Sequence, residues 1–169
     1  MSYKIIGDSC TDLTKELKKE GCISLVPLSL TIEDETFVDD ETFCQKVFIE
    51  KMSKSEECPR SACPSPERYM REFEGAEECY VITLSAQLSG SYNSAKLARS
   101  MYLEEHPETK IEIIDSRSAS VGQTLIALKL KEWKEQGLPF ELVRTKIMAF
   151  RDGLQTKFVL ESLENLRKN

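Results

Sequence analysis

Hydrophobic positions along the chain form two kinds of segment. Short apolar runs predict buried strands at residues 3–7, 79–84 and 111–114. Residues 22–32 alternate and predict one strand or two, with Pro27 marking an edge or a bend. Apolar residues spaced by three and four, clearest from Phe140 to Leu154, predict amphipathic helices. The predicted helices cover residues 12–20, 41–53, 66–74, 91–105, 120–136 and 140–150.

Residues that are preferred at helix ends mark where several of these helices begin or end. Asp12 is suited to cap the first helix, because a carboxylate can accept hydrogen bonds from the first free N–H groups. Pro66 suits the first turn of a helix, and Gly137 suits the residue after the last turn. The polar, proline-rich segment 55–66 predicts a loop.

Strands that alternate with helices predict an α/β fold with a mostly parallel sheet and helices on both faces. This domain should cover residues 1–154. Residues 155–169 predict the beginning of a second α/β domain, with a short strand at 157–160 and then a short helix.

Composition narrows the range of functions. The 169 residues are 40% hydrophobic and 31% charged, which is enough for a globular core. The net charge of −6 argues against nucleic acid, and no run approaches 18 apolar residues, so no stable membrane span is expected. The six cysteines form no C-x-x-C pair and there is one histidine, so no metal or cofactor is expected. Reduced cysteines and the absence of a signal peptide predict a cytoplasmic protein.

Three serine-rich loops follow predicted strands, at residues 8–12, 85–91 and 115–120. In a parallel sheet these loops lie at one edge, where ligands bind at the topological switch point. Each loop leads into a helix, whose N-terminus offers free N–H groups and partial positive charge. Hydroxyls such as Ser9 and Ser116 add donors, and Gly90 allows close approach of the backbone. The three loops together therefore predict an anion site at this edge, although for any single residue the role of a helix cap is favoured.

Catalysis by this chain has weaker support. A nucleophilic serine needs a neighbouring base, and His106 should lie at the opposite edge of the sheet, roughly 20 Å away. Neither a G-x-S-x-G elbow nor a phosphate-binding G-x-x-x-x-G-K loop occurs. Asp8, Asp12 and Asp115 could hold Mg²⁺, but strand-end and cap carboxylates explain them better.

Seven segments, in order along nearly the whole chain, resemble motifs of the DegV family. They are IIGDSCTDL (5–13), SLVPL (24–28), FVD (37–39), PRSACPS (59–65), LSAQLSGSYNSA (84–95), IDSRSASVG (114–122) and FVLESLENL (158–166). The family counterparts include I-x-T-D-S-T-A-D-L, P-x-T-S-Q-P-S and L-S-S-x-L-S-G-T-Y-Q-S-A. Together these matches are highly specific.

The resemblance implies a fatty-acid-binding protein of two α/β domains that presents its ligand to a separate fatty-acid kinase subunit. It implies that a hydroxyl in each of two loops holds the carboxylate, here Ser61 and Ser89. Ser9, Gly90 and Ser116 would support this site. The chain departs from the family pattern at Ala62 and Cys63, where the family has serine and glutamine.

A second departure is length, because family members continue for roughly a hundred residues more, about one domain. The chain alone is therefore expected to bind fatty acid weakly. Two other functions stay open at this point: a phosphotransferase or hydrolase domain using Ser89 and the aspartates, and an inactive truncated remnant.

Overall fold

A computed structural model describes residues 2–159 and shows two sheets with helices around them. The strands are β1 (Tyr3–Asp8), β2 (Ile23–Val26), β3 (Ser29–Ile32), β4 (Glu35–Val38), β5 (Arg60–Ala62), β6 (Glu78–Thr83) and β7 (Lys110–Asp115). The helices are α1 (Lys15–Glu20), α2 (Gln45–Lys54), α3 (Pro66–Phe73), α4 (Ser91–Glu105), α5 (Val121–Glu135) and α6 (Phe140–Asp152).

The larger sheet has the order β2-β1-β6-β7, and every neighbouring pair of strands is parallel. All six residues of β6 are buried, as expected for an inner strand covered on both faces. The predicted mostly parallel sheet is therefore confirmed. The chain moves from β1 to β2 on one side and from β6 to β7 on the other, so the strand order reverses between β1 and β6.

Helices cover both faces of this sheet, as predicted. On one face α3 and α4 pack against alternate strand residues such as Ile6 and Val81, with Tyr69 and Phe73 fully buried. On the other face α5 and α6 pack against the intervening residues, which include Tyr80. The alternation of side chains along each strand thus supplies two separate cores from one sheet.

The smaller sheet is antiparallel, has the order β4-β3-β5, and was not predicted. The prediction of a loop over residues 55–66 is wrong at β5, whose three residues are all exposed and give no apolar signal. Helix α2 buries no residue in full. It contacts this sheet through the ring of Phe48, which meets Phe37 of β4 edge-on with ring centroids 5.4 Å apart, and it also packs on Phe43 of the preceding segment at 5.6 Å.

Two predicted helix starts are wrong. Thr14, not Asp12, caps α1, and its hydroxyl accepts a hydrogen bond from the N–H of Leu17 (3.3 Å). Helix α2 begins four residues later than predicted. The carboxylate of Asp40 accepts the N–H of Thr42 (2.8 Å) and holds this segment in a turn instead.

The C-terminal predictions have a mixed outcome. Residues 155–159 are neither helix nor strand, so the strand predicted from residue 157 is absent where the structure describes it. Leu160 and the short helix after it lie outside the described residues. Within residues 2–159, none of the helices has the length and apolar character needed to cross a bilayer.

Several large apolar side chains remain exposed. Val121, Leu125 and Leu128 are 60%, 44% and 37% exposed and lie along one side of α5. Leu88, in the loop before α4, is 65% exposed. Within residues 2–159, apolar surface is therefore uncovered both along α5 and in the 85–91 loop before α4.

Candidate functional site

The predicted binding edge is held together by one buried carboxylate. Asp8 ends β1, is fully buried, and accepts a 2.7 Å hydrogen bond from the N–H of Leu84, just after β6. Its other oxygen accepts a 2.8 Å bond from the Gln123 amide on α5. Asp8 therefore joins the two central strands and α5 at the point where the strand order reverses.

Burial raises the pKa of Asp8 above its ordinary value, because the charged form loses hydration. Hydrogen bonds from Gln123 and from the N–H groups of Leu84 and Cys10 oppose this change, as does the Ser91 hydroxyl. Each of these donors stabilises the ionised form. The carboxylate is therefore the acceptor at the centre of a group of donors.

The predicted head-group serine, Ser89, lies in the loop that leads into α4. Its hydroxyl oxygen is 3.0 Å from the hydroxyl oxygen of Ser91 and accepts a hydrogen bond from the Ser91 N–H (3.2 Å). Ser89 is half-buried, whereas Ser91 is fully buried. The Ser89 hydroxyl thus stands at the N-terminus of a 15-residue helix, where the helix dipole favours an anion.

The second predicted serine, Ser61, lies exposed on β5, opposite Leu30 of β3. The chain after β5 reaches the start of α4. The Sγ atom of Cys63 lies 3.0 Å from an ideal Cβ position at Gly90, and the Ser94 hydroxyl donates to the carbonyl of Pro64 (2.5 Å). The structure therefore brings the segment after Ser61 against the loop that carries Ser89.

The predicted supporting hydroxyls are both engaged by backbone groups. The Ser9 hydroxyl accepts a 3.0 Å bond from the N–H of Leu28 and so ties the loop after β1 to the start of β3. Ser116 is buried, donates to the carbonyl of Ser118 (3.0 Å) and accepts the Ser118 N–H (3.1 Å). Both residues fix the shape of the edge around Ser89.

The remaining aspartates are occupied as well. Asp12 accepts a short hydrogen bond from the hydroxyl of Ser120. One oxygen of Asp115 accepts the N–H groups of Ala86 and Arg117, each at 3.0 Å. Within residues 2–159, no three or more Cys, His, Asp or Glu side chains are grouped so that they could hold a metal ion.

The single histidine lies away from this edge. His106 follows the last residue of α4 and stacks on Tyr102, with ring centroids 4.4 Å apart. A helix of 15 residues is about 22 Å long, so His106 and Ser89 lie at opposite ends of α4. The predicted separation is confirmed, and the imidazole is too distant to act as a base for the Ser89 hydroxyl.

A groove of about 860 Å³ opens beside the loop after β1, but no residue of the 85–91 loop, which carries Ser89, lines it. Ser9 and Thr11 line it together with the acidic residues Asp12, Asp39 and Asp40. Clustered carboxylates would repel the head group of a fatty acid. We therefore do not assign this groove to an acyl chain.

Three participants at the edge were not predicted as site residues: Tyr69, Ser91 and Gln123. Ser91 lay in the matched 84–95 segment but was interpreted as a helix start. Gln123 comes from α5, and its amide reaches Asp8 only through the packing of that helix on the sheet. Tyr69 comes from α3 and is fully buried, with no hydrogen-bond partner for its hydroxyl within residues 2–159. No local sequence signal marks either residue.

Comparison with known proteins identifies a family for this chain. The family model described as "Uncharacterised protein, DegV family" matches residues 2–169. The chain belongs to the DegV family. A DegV domain-containing protein of Streptococcus pneumoniae strain R6 is 42% identical over 172 residues, which cover 100% of this chain and 61% of that protein.

Two solved DegV-type structures are similar over most of the chain. A DegV family protein from Ruminococcus gnavus, refined with vaccenic acid, is 47% identical with a TM-score of 0.95, and the match covers 99% of this chain and 61% of that one. The Streptococcus pneumoniae Fatty Acid Kinase (Fak) B3 protein, loaded with linoleic acid, is 41% identical with a TM-score of 0.81 and covers 90% and 55%. The chain thus spans about 61% of the length of its curated relatives.

Proposed function

We propose that the protein containing this chain binds a long-chain fatty acid, with the carboxylate held by Ser61 and Ser89. Related structures support the ligand class, since they hold vaccenic, linoleic and heptadecanoic acid. The observation that carries the assignment to this chain is the close approach of Cys63 to Gly90. It brings the residue that follows the strand of one serine next to the helix-start loop of the other.

The chemistry of the edge suits a carboxylate. A carboxylate accepts hydrogen bonds and cannot donate them, and the N-terminus of α4 provides partial positive charge and a serine hydroxyl. Leu88, which precedes Ser89, exposes 65% of its apolar side chain. An acyl chain leaving the head group would find apolar surface there.

The test of this site is the preference for acids over alcohols. Affinities for octanoic acid and octanol should be measured by NMR titration for the wild type and for the double variant Ser61→Ala/Ser89→Ala. The double variant should bind the acid no better than the alcohol, because only the acid depends on the two hydroxyls. Ser100→Ala, which removes an exposed hydroxyl elsewhere on α4, is the matched control. Unchanged discrimination in the double variant would overturn the assignment.

We further propose that this protein is a carrier for a separate fatty-acid kinase subunit and has no catalytic activity of its own. The name of the Fak B3 protein links a similar structure to such a kinase. His106 lies at the far end of α4, so within residues 2–159 no imidazole is close enough to serve Ser89 as a base. Acyl phosphate should form from ATP only when the loaded protein and a kinase subunit are mixed. Formation by this protein alone would contradict the carrier role.

The domain division is also a proposal. Residues 1–154 would form the N-terminal domain, and the additional length of the relatives would supply a second domain that covers the acyl chain. A cytoplasmic location stays a prediction, which fractionation of cells producing the full protein would test.

A further inference from the structure

The segment between β5 and α3 is poor in backbone donors. The pairing of β5 with β3 ends at Ala62, and α3 begins at Pro66. Pro64, between them, is buried, and neither proline has an N–H group to donate. The segment therefore depends on other contacts for its position. Because Pro64 lies only three residues after Ser61, the contacts that place Pro64 also place Ser61.

A serine in the first turn of α4 supplies such a contact. The hydroxyl of Ser94 donates to the carbonyl of Pro64 at 2.5 Å, across 30 residues of sequence. The N–H of Ser94 donates to the Gly90 carbonyl (2.9 Å), so its backbone stays part of the helix while its side chain bonds outside it. By contrast, the hydroxyl of Ser100 donates to the carbonyl of Lys96 in the preceding turn (3.1 Å), as helical serines often do. The Ser94 contact thus joins α4 to a different element.

This hydrogen bond complements the close approach of Cys63 to Gly90. The side chain of Cys63 limits how near the segment can come to the start of α4. The bond from Ser94 to Pro64 limits how far the segment can move away, and the fixed φ of proline restricts rotation there. Together the two contacts set the separation between the chain after β5 and the start of α4.

We infer that Ser94 is a positioning residue for the ligand carboxylate, because it holds the segment after Ser61 against the helix that follows Ser89. This inference rests on the proposed function. Hydrogen bonds to a charged carboxylate are roughly twice as strong as those to a neutral oxygen, so a misplaced hydroxyl weakens the binding of an acid more than that of an alcohol. Ser94 should therefore contribute to the preference for acids over alcohols of equal chain length.

The decisive variant is Ser94→Ala, with octanoic acid and octanol as probes in NMR titrations. The affinity for the acid should fall by about twofold to tenfold, and that for the alcohol by less than about twofold. Ser94→Thr, which keeps the hydroxyl, should restore the wild-type ratio of the two affinities. Ser100→Ala, the matched control on the same helix, should change neither affinity. An equal loss of ratio in Ser100→Ala, or no recovery in Ser94→Thr, would overturn the inference.

A double-mutant cycle tests whether Ser94 acts through Ser61. In the Ser61→Ala background, the hydroxyl that Ser94 positions is gone. Adding Ser94→Ala to that background should therefore change the affinity for octanoic acid by less than about twofold. The same twofold to tenfold loss in both backgrounds, about one net hydrogen bond, would show that Ser94 acts independently of Ser61, and the inference would be wrong.

Stability measurements separate positioning from a purely structural role. A structural role alone would lower the thermal midpoint of Ser94→Ala and leave its acid-to-alcohol ratio intact, which would contradict the inference. If Ser61→Ala/Ser89→Ala loses the preference for the acid but Ser94→Ala keeps it, the inference is wrong and the proposed function stands. If the double variant also keeps the preference, the proposed function itself fails, and the inference fails with it.

Discussion

The Sγ atom of Cys63 lies 3.0 Å from the position that a Cβ atom would occupy at Gly90. This separation is shorter than an ordinary van der Waals contact, so glycine is what lets the segment after β5 approach the start of α4. The backbone of Gly90 has an ordinary helical φ of −72°, so the requirement is for space and not for an unusual conformation.

Gly90→Ala should therefore push the Cys63 segment away from the serine loop. We expect a loss of about 1 kcal/mol in the free energy of unfolding, as for a modest overpacking, and a weaker affinity for octanoic acid. Chemical denaturation and NMR titration measure the two effects. Cys63→Ala removes the Sγ atom and leaves the Cβ of residue 63 at 3.9 Å from the Cβ position at residue 90. The double variant Gly90→Ala/Cys63→Ala should therefore recover both stability and affinity. Failure of the double variant to recover would show that Gly90 serves another purpose.

Asp8 should make stability depend on pH in an identifiable direction. Because burial raises its pKa in the folded state, the folded protein holds this proton at pH values where the unfolded chain has lost it. The contribution of Asp8 to stability should thus decrease as pH rises from the ordinary aspartate pKa to the raised one. Above that range of pH the contribution of Asp8 should be constant. The free energy of unfolding in urea, measured at a series of pH values, tests this profile.

Asp8→Asn is the comparison for that profile. The variant should be less stable at neutral pH, since an amide cannot accept from both Leu84 and Gln123 without placing its NH₂ against one of their N–H groups. Its difference from the wild type should grow as pH falls through this range, because the wild type gains stability there and the asparagine does not titrate. A difference that shrinks on acidification would mean that the pKa of Asp8 is lowered in the folded protein.

Cysteine labelling should report occupancy of the site. Cys63 and Cys44 are both exposed, but only Cys63 lies beside Gly90. A bound fatty acid should slow alkylation of Cys63 severalfold and leave Cys44 unaffected, as measured by peptide mass spectrometry. Cys10 and Cys79 should react slowly in either state, because burial raises the pKa of each thiol to about 12. Equal protection of Cys44 would point to a global change instead of a local one.

The chain by itself should bind long-chain fatty acid weakly. Two hydrogen bonds to a carboxylate contribute roughly 1.5–3 kcal/mol each, which association costs largely offset. Burying a tail of about 14 methylenes could contribute on the order of 11 kcal/mol, but only inside an enclosed apolar tunnel. Native mass spectrometry of the 169-residue chain should show little retained acid, whereas stoichiometric retention would contradict the prediction.

The parallel sheet could be predicted because its strands are short apolar runs separated by helices with clear termini. Residues 91–105 show this best, since the predicted and observed helix have the same bounds. The matched segments also pointed to Ser61, which lies on β5, and to Ser89, which lies in the loop before α4. Local hydrophobic patterns therefore predicted the elements of the main sheet, and the resemblance to the family supplied the candidate binding residues.

The smaller sheet and the network below Ser89 could not be predicted in the same way. Strand β5 has three exposed residues and exists because it pairs with β3, a contact between distant parts of the chain. Asp8 was interpreted as an ordinary strand-end carboxylate, yet its partner Gln123 is 115 residues away. Such roles depend on tertiary packing, which the local spacing of hydrophobic residues does not predict.

The two proposed head-group serines lie on parts of the molecule that are buried to different extents. Ser89 follows a fully buried strand, whereas Ser61 lies on β5, whose three residues are exposed, in a sheet whose helix, α2, buries no side chain. A single fatty acid held by both serines would link these two parts. Binding should therefore slow amide exchange over residues 29–62, because the added attachment raises the free energy of local opening there.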